Sequence, residues 1–176
     1  MIETLPNRKH PRLKNYDYSS NGCYFVTINS YKNKPIFSKV IEIKDCPDDL
    51  QPSPQIQLTS VGETIKQNME DLTLRYPSIT VDNYVIMPTH IHAILTFNEV
   101  AEANPNPTLM DVICVLKSLI TRQYNKNYGN TAPIWQTSFY DRVIQNEEGY
   151  LNALQYIDEN PLKWKLDKYY NPMQAK

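Results

Sequence analysis

This 176-residue sequence predicts an α+β fold, a two-layer sandwich of helices on an antiparallel sheet, on three observations. Short runs rich in β-branched and aromatic residues alternate with longer segments whose apolar residues recur at helical spacing. The elements read in the order β, β, α, β, β, α, β, α, so that strands are separated by crossing helices rather than stacked in a doubly wound series. The chain is long enough for one sizeable core, and its 41% hydrophobic and 21% charged content is that of a globular domain.

The first strand is Cys23-Tyr-Phe-Val-Thr-Ile-Asn-Ser-Tyr31, which follows the turn signal Ser-Asn-Gly. A second, edge-like strand runs from Phe37 to Ile43, and the prolines and aspartates from Asp45 to Pro54 read as a loop. Thr59 or Ser60 opens a helix, with Glu63 placed for a capping box. Val61, Ile65, Met69, Leu72 and Tyr76 follow at helical spacing up to Pro77. Ile79 to Met87 and Thr89 to Phe97 form two strands around Pro88, and Asn98 to Pro107 is a polar linker. Thr108 caps a long helix to about Asn127, closed by Gly129. Its apolar stripe is Leu109, Val112, Ile113, Leu116, Leu119, Ile120 and Tyr124, which leaves Lys117, Arg122, Gln123 and Lys126 toward solvent. Ile134 to Ile144 is the final extended segment, and Asn146-Glu-Glu begins a helix that Pro161 stops.

Composition narrows the function classes. No window reaches the ~18 apolar residues of a membrane span, and the N-terminus shows no apolar secretory run, so the expectation is a cytoplasmic protein. Cys23, Cys46 and Cys114 lack zinc-like spacing and read as reduced thiols. The net charge of −1 does not mark a nucleic-acid binder, but both ends are basic. Arg8, Lys9, Arg12 and Lys14 stand near one end, and Lys163, Lys165 and Lys168 near the other. They are candidate phosphate contacts, although lysine-rich ends are often simply solvated. The chain divides into a basic arm (1–20), a folded domain (21–165) and a tail (166–176), the arm lying on the domain or being ordered by a ligand.

Chemistry concentrates in Asn83-Tyr-Val-Ile-Met-Pro-Thr-His-Ile-His-Ala-Ile-Leu-Thr-Phe97. In a strand His90 and His92 project to one face, about 7 Å apart along the backbone, while Ile91, Ala93, Leu95 and Phe97 take the other. Two imidazoles form half of a divalent-metal site, which a carboxylate, an amide or water must complete. Met87-Pro88 suggests a turn or strand edge, placing the pair beside solvent. On the last helix, Tyr150, Leu154 and Ile157 define the expected buried stripe, flanked by Ala153, Tyr156 and Asn160. Tyr156 and Asn160 are neighbours across one turn, about 6 Å apart.

Three stretches occur in register: Tyr84-Val-Ile-Met-Pro-Thr-His-Ile-His92, then Ile134-Trp-Gln with Phe139-Tyr-Asp and Ile144-Gln-Asn-Glu147, then Tyr156-Ile-Asp-Glu-Asn-Pro161. From about Cys23 to Trp164 the chain resembles the REP-associated tyrosine transposases, members of the HUH single-strand transposases. The resemblance implies a ferredoxin-like, RRM-like antiparallel sheet with helices on one face. It implies that His90, His92 and Asn160 bind Mg²⁺ or Mn²⁺ and that Tyr156 is the nucleophile. Related insertion-sequence transposases usually carry glutamine where this chain has the shorter Asn160.

The implied activity is metal-dependent cleavage and rejoining of single-stranded or hairpin DNA through a 5′-phosphotyrosine, by a monomer or homodimer. Two rivals are a non-catalytic RRM-like nucleic-acid-binding protein using Tyr24, Phe25, Tyr31 and the basic arms, and a metal-dependent phosphoesterase using the histidines.

Overall fold

The computed structural model describes residues 13, 16–41, 54–99, 107–129, 131–167 and 170. Among the described residues six strands and four α-helices follow in chain order: β1 (Gly22–Asn29), β2 (Ser38–Ile41), β3 (Gln55–Leu58), α1 (Ser60–Glu70), α2 (Leu72–Arg75), β4 (Ile79–Ile86), β5 (His90–Phe97), α3 (Leu109–Tyr128), β6 (Tyr140–Ile144) and α4 (Glu147–Glu159). The main sheet has the order β4-β5-β1-β6, and every neighbouring pair is antiparallel. With α1 linking β1 to β4 and α3 linking β5 to β6, this is the split βαβ arrangement of a ferredoxin-like α+β fold.

Strand alternation gives the sheet two apolar faces. Tyr24, Val26, Ile28, Ile91, Ala93, Leu95 and Phe97 pack into the core formed with α1 and α3. Phe25, Val85 and Ile94 point the other way and meet Ala153, Ile157 and Trp164. The two crossover helices thus share one face, and α4 adds a layer on the opposite one. Within α4 the buried line is Ala153, Ile157 and Asn160, whereas Tyr150 and Leu154 are only partly buried. The stripe is therefore turned from the Tyr150–Leu154–Ile157 expectation, because α4 lies on a sheet that it shares with the segment ending at Trp164.

Several boundaries follow the local chemistry read above. Thr108 and Asp111 cap α3 reciprocally, Gly129 closes it at φ 62°, and Asn146 caps α4 through Gly149 N. Thr59, rather than a Ser60–Glu63 box, caps α1 through Gly62 N at 3.1 Å. That helix ends at Glu70, since Asp71 (ψ −6°) leaves the helical path and α2 is a separate turn. The short strand β3 escapes sequence reading because its four residues alternate only weakly before a cap. It pairs with β2 as a separate two-stranded sheet. Ile134 to Phe139 is not a strand beyond a single Ser30–Trp135 bridge. Lys117 explains this. Its Nζ donates to the carbonyls of Gln136 (2.7 Å), Ser138 (3.2 Å) and Thr137 (3.4 Å), tying the segment to α3 instead of the sheet. Lys117 is thus partly buried rather than solvent-facing, and burial pulls its ammonium down to about 8. Gln123 likewise turns inward to accept from Asn68 at 2.7 Å.

Tyr18 is buried against Tyr16 and Tyr24, so the end of the expected arm lies on the domain. Most of the arm, of the Asp45–Pro54 loop and of the 98–107 linker, with the end of the tail, lies outside the described residues.

Gly62 fixes how α1 docks on β2. A Cβ there would stand 2.1 Å from the Phe37 carbonyl oxygen, a backbone atom that cannot swing aside. The same carbonyl accepts from Thr59 N at 3.0 Å and from Thr59 Oγ1 at 2.9 Å. Gly62→Ala is expected to destabilise the protein by about 2–4 kcal/mol through overpacking. Urea unfolding checks this, and a loss below about 0.5 kcal/mol would show that the contact relaxes freely.

Candidate active site

β5 carries both histidines on the face that α4 covers. Their ring centroids lie 4.5 Å apart in an edge-on arrangement. Each ring is oriented through Nδ1 by a threonine hydroxyl: Thr89 Oγ1 at 3.0 Å from His90 Nδ1, and Thr27 Oγ1 at 2.9 Å from His92 Nδ1. Thr27 reaches His92 because the two are directly paired between β1 and β5.

The pair is buried, contrary to the solvent-facing position expected from Pro88: His90 is 0% exposed and His92 4%. The turn before β5 is pinned on several sides. Phe37 N donates to Pro88 O at 3.0 Å, Ser30 N to Thr89 O at 2.8 Å, and Met87 N to His90 O at 2.8 Å. Above the rings, Trp164 stands 6.2 Å from His90, and Phe25 stacks on His92 at 5.2 Å. A proline marks the local turn, but not what packs over it.

Tyr156 comes to this cluster from α4. Its ring is edge-on to His92 at 5.1 Å and to Phe25 at 5.8 Å, and 44% of the residue remains exposed. It therefore has one side against an imidazole and another open to a substrate. Asn160, one turn on, is 4% exposed, and its Oδ1 is buried without a hydrogen-bond partner among the described residues. Asn160 closes the helix that carries Tyr156, four residues before Trp164, whose ring stands near His90. A buried amide oxygen left unmatched costs about 1–3 kcal/mol, which a cation or a bound donor would recover.

The donor chemistry fits a divalent ion. No group of three His, Cys, Asp or Glu side chains stands together among the described residues, so a site at this pair must be completed by amides, water or substrate. Two imidazoles and an amide oxygen form the mixed nitrogen and oxygen set that Mn²⁺ accepts readily and Mg²⁺ tolerates.

Beside Tyr156 a groove of 370 Å³ opens between α4 and the edge of β6, lined by Phe25, Thr27, Tyr140, Arg142 and Asn152, among others. The Arg142 guanidinium lies over the Phe25 ring at 5.9 Å. Tyr150, on the same helix, is engaged elsewhere: its hydroxyl donates to Asp82 at 3.2 Å, and its phenol is pushed up by burial and then by the Asp82 charge.

Of the basic candidates, Lys163 is exposed and paired with Glu159 one turn away, and Lys165 is exposed. Arg8, Lys9, Arg12, Lys14 and Lys168 lie outside the described residues. The structure thus brings Tyr156 of α4 against His92, beside His90 on β5, with buried Asn160 at the end of the same helix. Sequence reasoning missed Thr27, Thr89 and Trp164 as their neighbours. Thr89 was legible from adjacency, but Thr27 and Trp164 depend on register and on the path after α4.

No helix among the described residues is long and apolar enough to cross a membrane. No protein-family model matches the chain. An uncharacterised Haemophilus influenzae protein is 28% identical over 182 aligned positions, covering 94% of each chain. A second protein of that organism, provisionally named a REP-associated tyrosine transposase, is 27% identical over 162 positions, covering 86% of this chain and 77% of its own. Among solved structures, a REP-associated tyrosine transposase bound to a REP hairpin superposes with a TM-score of 0.55 at 20% identity, over 89% of this chain and 76% of that one. In sequence over most of its length, and in fold, the chain is similar to the REP-associated tyrosine transposases.

Proposed function

We propose that this protein is a metal-dependent single-stranded DNA endonuclease and strand transferase that acts through Tyr156. The observation that carries the reading is the placement of one half-exposed tyrosine against a buried, oriented histidine pair, with an unmatched amide oxygen one turn along the same helix. The solved relative bound to a REP hairpin supports a hairpin as substrate.

In this reading the Tyr156 oxygen attacks a backbone phosphorus, a Tyr–O–P bond forms, and the P–O3′ bond breaks. The phenol gives up its proton and the departing 3′-oxygen gains one, leaving a 5′-phosphotyrosine and a free 3′-hydroxyl. The phosphodiester energy is kept in the adduct, so a later 3′-hydroxyl can reverse the step and join strands. The Thr27 and Thr89 hydroxyls hold the imidazoles through Nδ1, and a tautomer protonated there would donate to the hydroxyl and leave Nε2 for coordination. His90, His92 and Asn160 would hold the divalent ion, which supplies charge to offset the phosphate's negative charge as the tyrosine approaches. Exposed Tyr140 and Arg142, in the groove beside Tyr156, offer a stacking surface and a cation to the strand that leads into the site.

The RRM-like binding module fits less well. An RRM stacks bases on an open sheet face, whereas here Tyr24 is wholly buried beneath α1 and α3, and α4 covers the opposite face. A phosphoesterase that activates water would not need a tyrosine against its metal ligands. The test is incubation of the purified protein with 5′- and 3′-labelled single-stranded hairpins from the flanks of its own coding region, with Mn²⁺ or with EDTA. A covalent protein–DNA adduct that needs the metal is the expected result. Cleavage without an adduct would favour the phosphoesterase, and binding without cleavage the binding module.

A further inference from the structure

We infer that Asn29, at the end of β1, supplies a further oxygen ligand to the divalent cation, opposite Asn160. The inference rests on the metal-site reading of His90 and His92. Asn29 is the direct cross-strand partner of His90, as Thr27 is of His92. Thr27 Oγ1 touches His92 Nδ1, so the alternation of β1 places Asn29 on that same face, with its Cβ about 5 Å from that of its partner.

The side chain is buried at 3% exposure, and its two ends have different fates. Nδ2 donates to Asn33 Oδ1 at 3.3 Å, an oxygen that also accepts from Gln136 Nε2 at 2.7 Å. Oδ1 is buried without a hydrogen-bond partner among the described residues. The Asn33–Gln136 network therefore aims the Asn29 carbonyl away from itself, on the histidine side of the sheet. The network is itself held in an unusual backbone: Lys32 and Asn33 have φ of 55° and 52°. Left-handed conformations cost a lysine about 1 kcal/mol or more, so the turn that presents Asn33 to Asn29 is maintained at some expense.

Two buried amide oxygens lack a hydrogen-bond partner among the described residues, Asn29 Oδ1 on the strand paired with the histidines and Asn160 Oδ1 at the end of the helix that carries Tyr156. Desolvation makes either costly alone, and a shared cation satisfies both. The resulting donor set, two imidazoles and two amides, is entirely neutral. The cation's charge is then left for the phosphate rather than cancelled by a carboxylate, which suits a site that must draw an anionic backbone to a phenol.

Mn²⁺ titration of the full-length protein, followed by the electron paramagnetic resonance signal of the free ion, tests this. Asn29→Ala should weaken Mn²⁺ binding by about 10-fold or more. Asn29→Asp, which keeps an oxygen donor and adds a charge, should bind Mn²⁺ at least as tightly as the wild type. Asn33→Gly removes the supporting side chain while tolerating the positive φ. It should weaken Mn²⁺ binding by less than Asn29→Ala does, since it loosens the donor without removing it, and unfolding midpoints in EDTA should show all three variants folded. Wild-type affinity in Asn29→Ala, with loss of metal in His90→Ala, overturns the Asn29 assignment alone. Equal weakening in Asn29→Ala and Asn33→Gly, without recovery in Asn29→Asp, would show a structural effect and also overturn it. Unchanged Mn²⁺ binding in His90→Ala and His92→Ala would remove the metal site and this inference together.

Discussion

Tyr156→Phe is expected to abolish the covalent protein–DNA adduct while leaving the protein folded and able to bind Mn²⁺. The hydroxyl is the only group removed, and the residue is 44% exposed, so the stability change should stay within about 0.5 kcal/mol. The phenyl ring keeps its edge contacts with His92 and Phe25, and the surroundings of the histidines are preserved. Thirteen tyrosines compete for the role, but the structure separates the nearest rivals. The Tyr150 hydroxyl is engaged with Asp82, and Tyr140 lies across the groove on β6. Tyr150→Phe and Tyr140→Phe should therefore retain the adduct. Mass spectrometry of the trapped wild-type adduct should place the nucleotide on the peptide containing Tyr156. A nucleotide on Tyr150 or Tyr140 would refute the assignment even if cleavage persisted.

Removal of either imidazole should have two effects that can be measured apart. His90→Ala or His92→Ala is expected to lower metal-dependent adduct formation by at least about 100-fold, the scale of losing a group that stabilises charge in the reacting state. Both rings are buried among packed neighbours, so each substitution should also cost about 1–3 kcal/mol of stability through the void it leaves. An exposed pair would have given the first effect without the second. Urea unfolding in EDTA reads the stability term, and adduct yield at a temperature where circular dichroism shows the variant folded reads the chemical one. Wild-type adduct yield with Mn²⁺ in either variant would end the metal-site reading.

The chain's local chemistry made much of this legible. The His90-Ile-His92 alternation on a β-prone run fixes both imidazoles to one face because strand geometry has a period of two. Helix caps at Thr108 and Asn146 and the stop at Gly129 are short-range events, and they occur where the residues call for them. Tyr156 and Asn160 share a side of α4 because four residues make about one turn. By itself, then, the sequence determined the α+β class, the succession of the main elements and which residues are candidates for chemistry. Only the tertiary structure decided their surroundings. Whether a strand's start is wet depends on what crosses it, and here Phe37, Ser30 and Trp164 bury a pair that Pro88 suggested was open. Lys117 was expected in solvent from helical periodicity, yet carbonyls from a segment about 20 residues away draw it inward. The rotation of α4, the meeting of Thr27 with His92, and the position of Asn29 opposite His90 all depend on pairings between residues distant in the chain. Such pairings are set by the whole core and not by any window of sequence, because register and helix rotation minimise the free energy of all packed elements together.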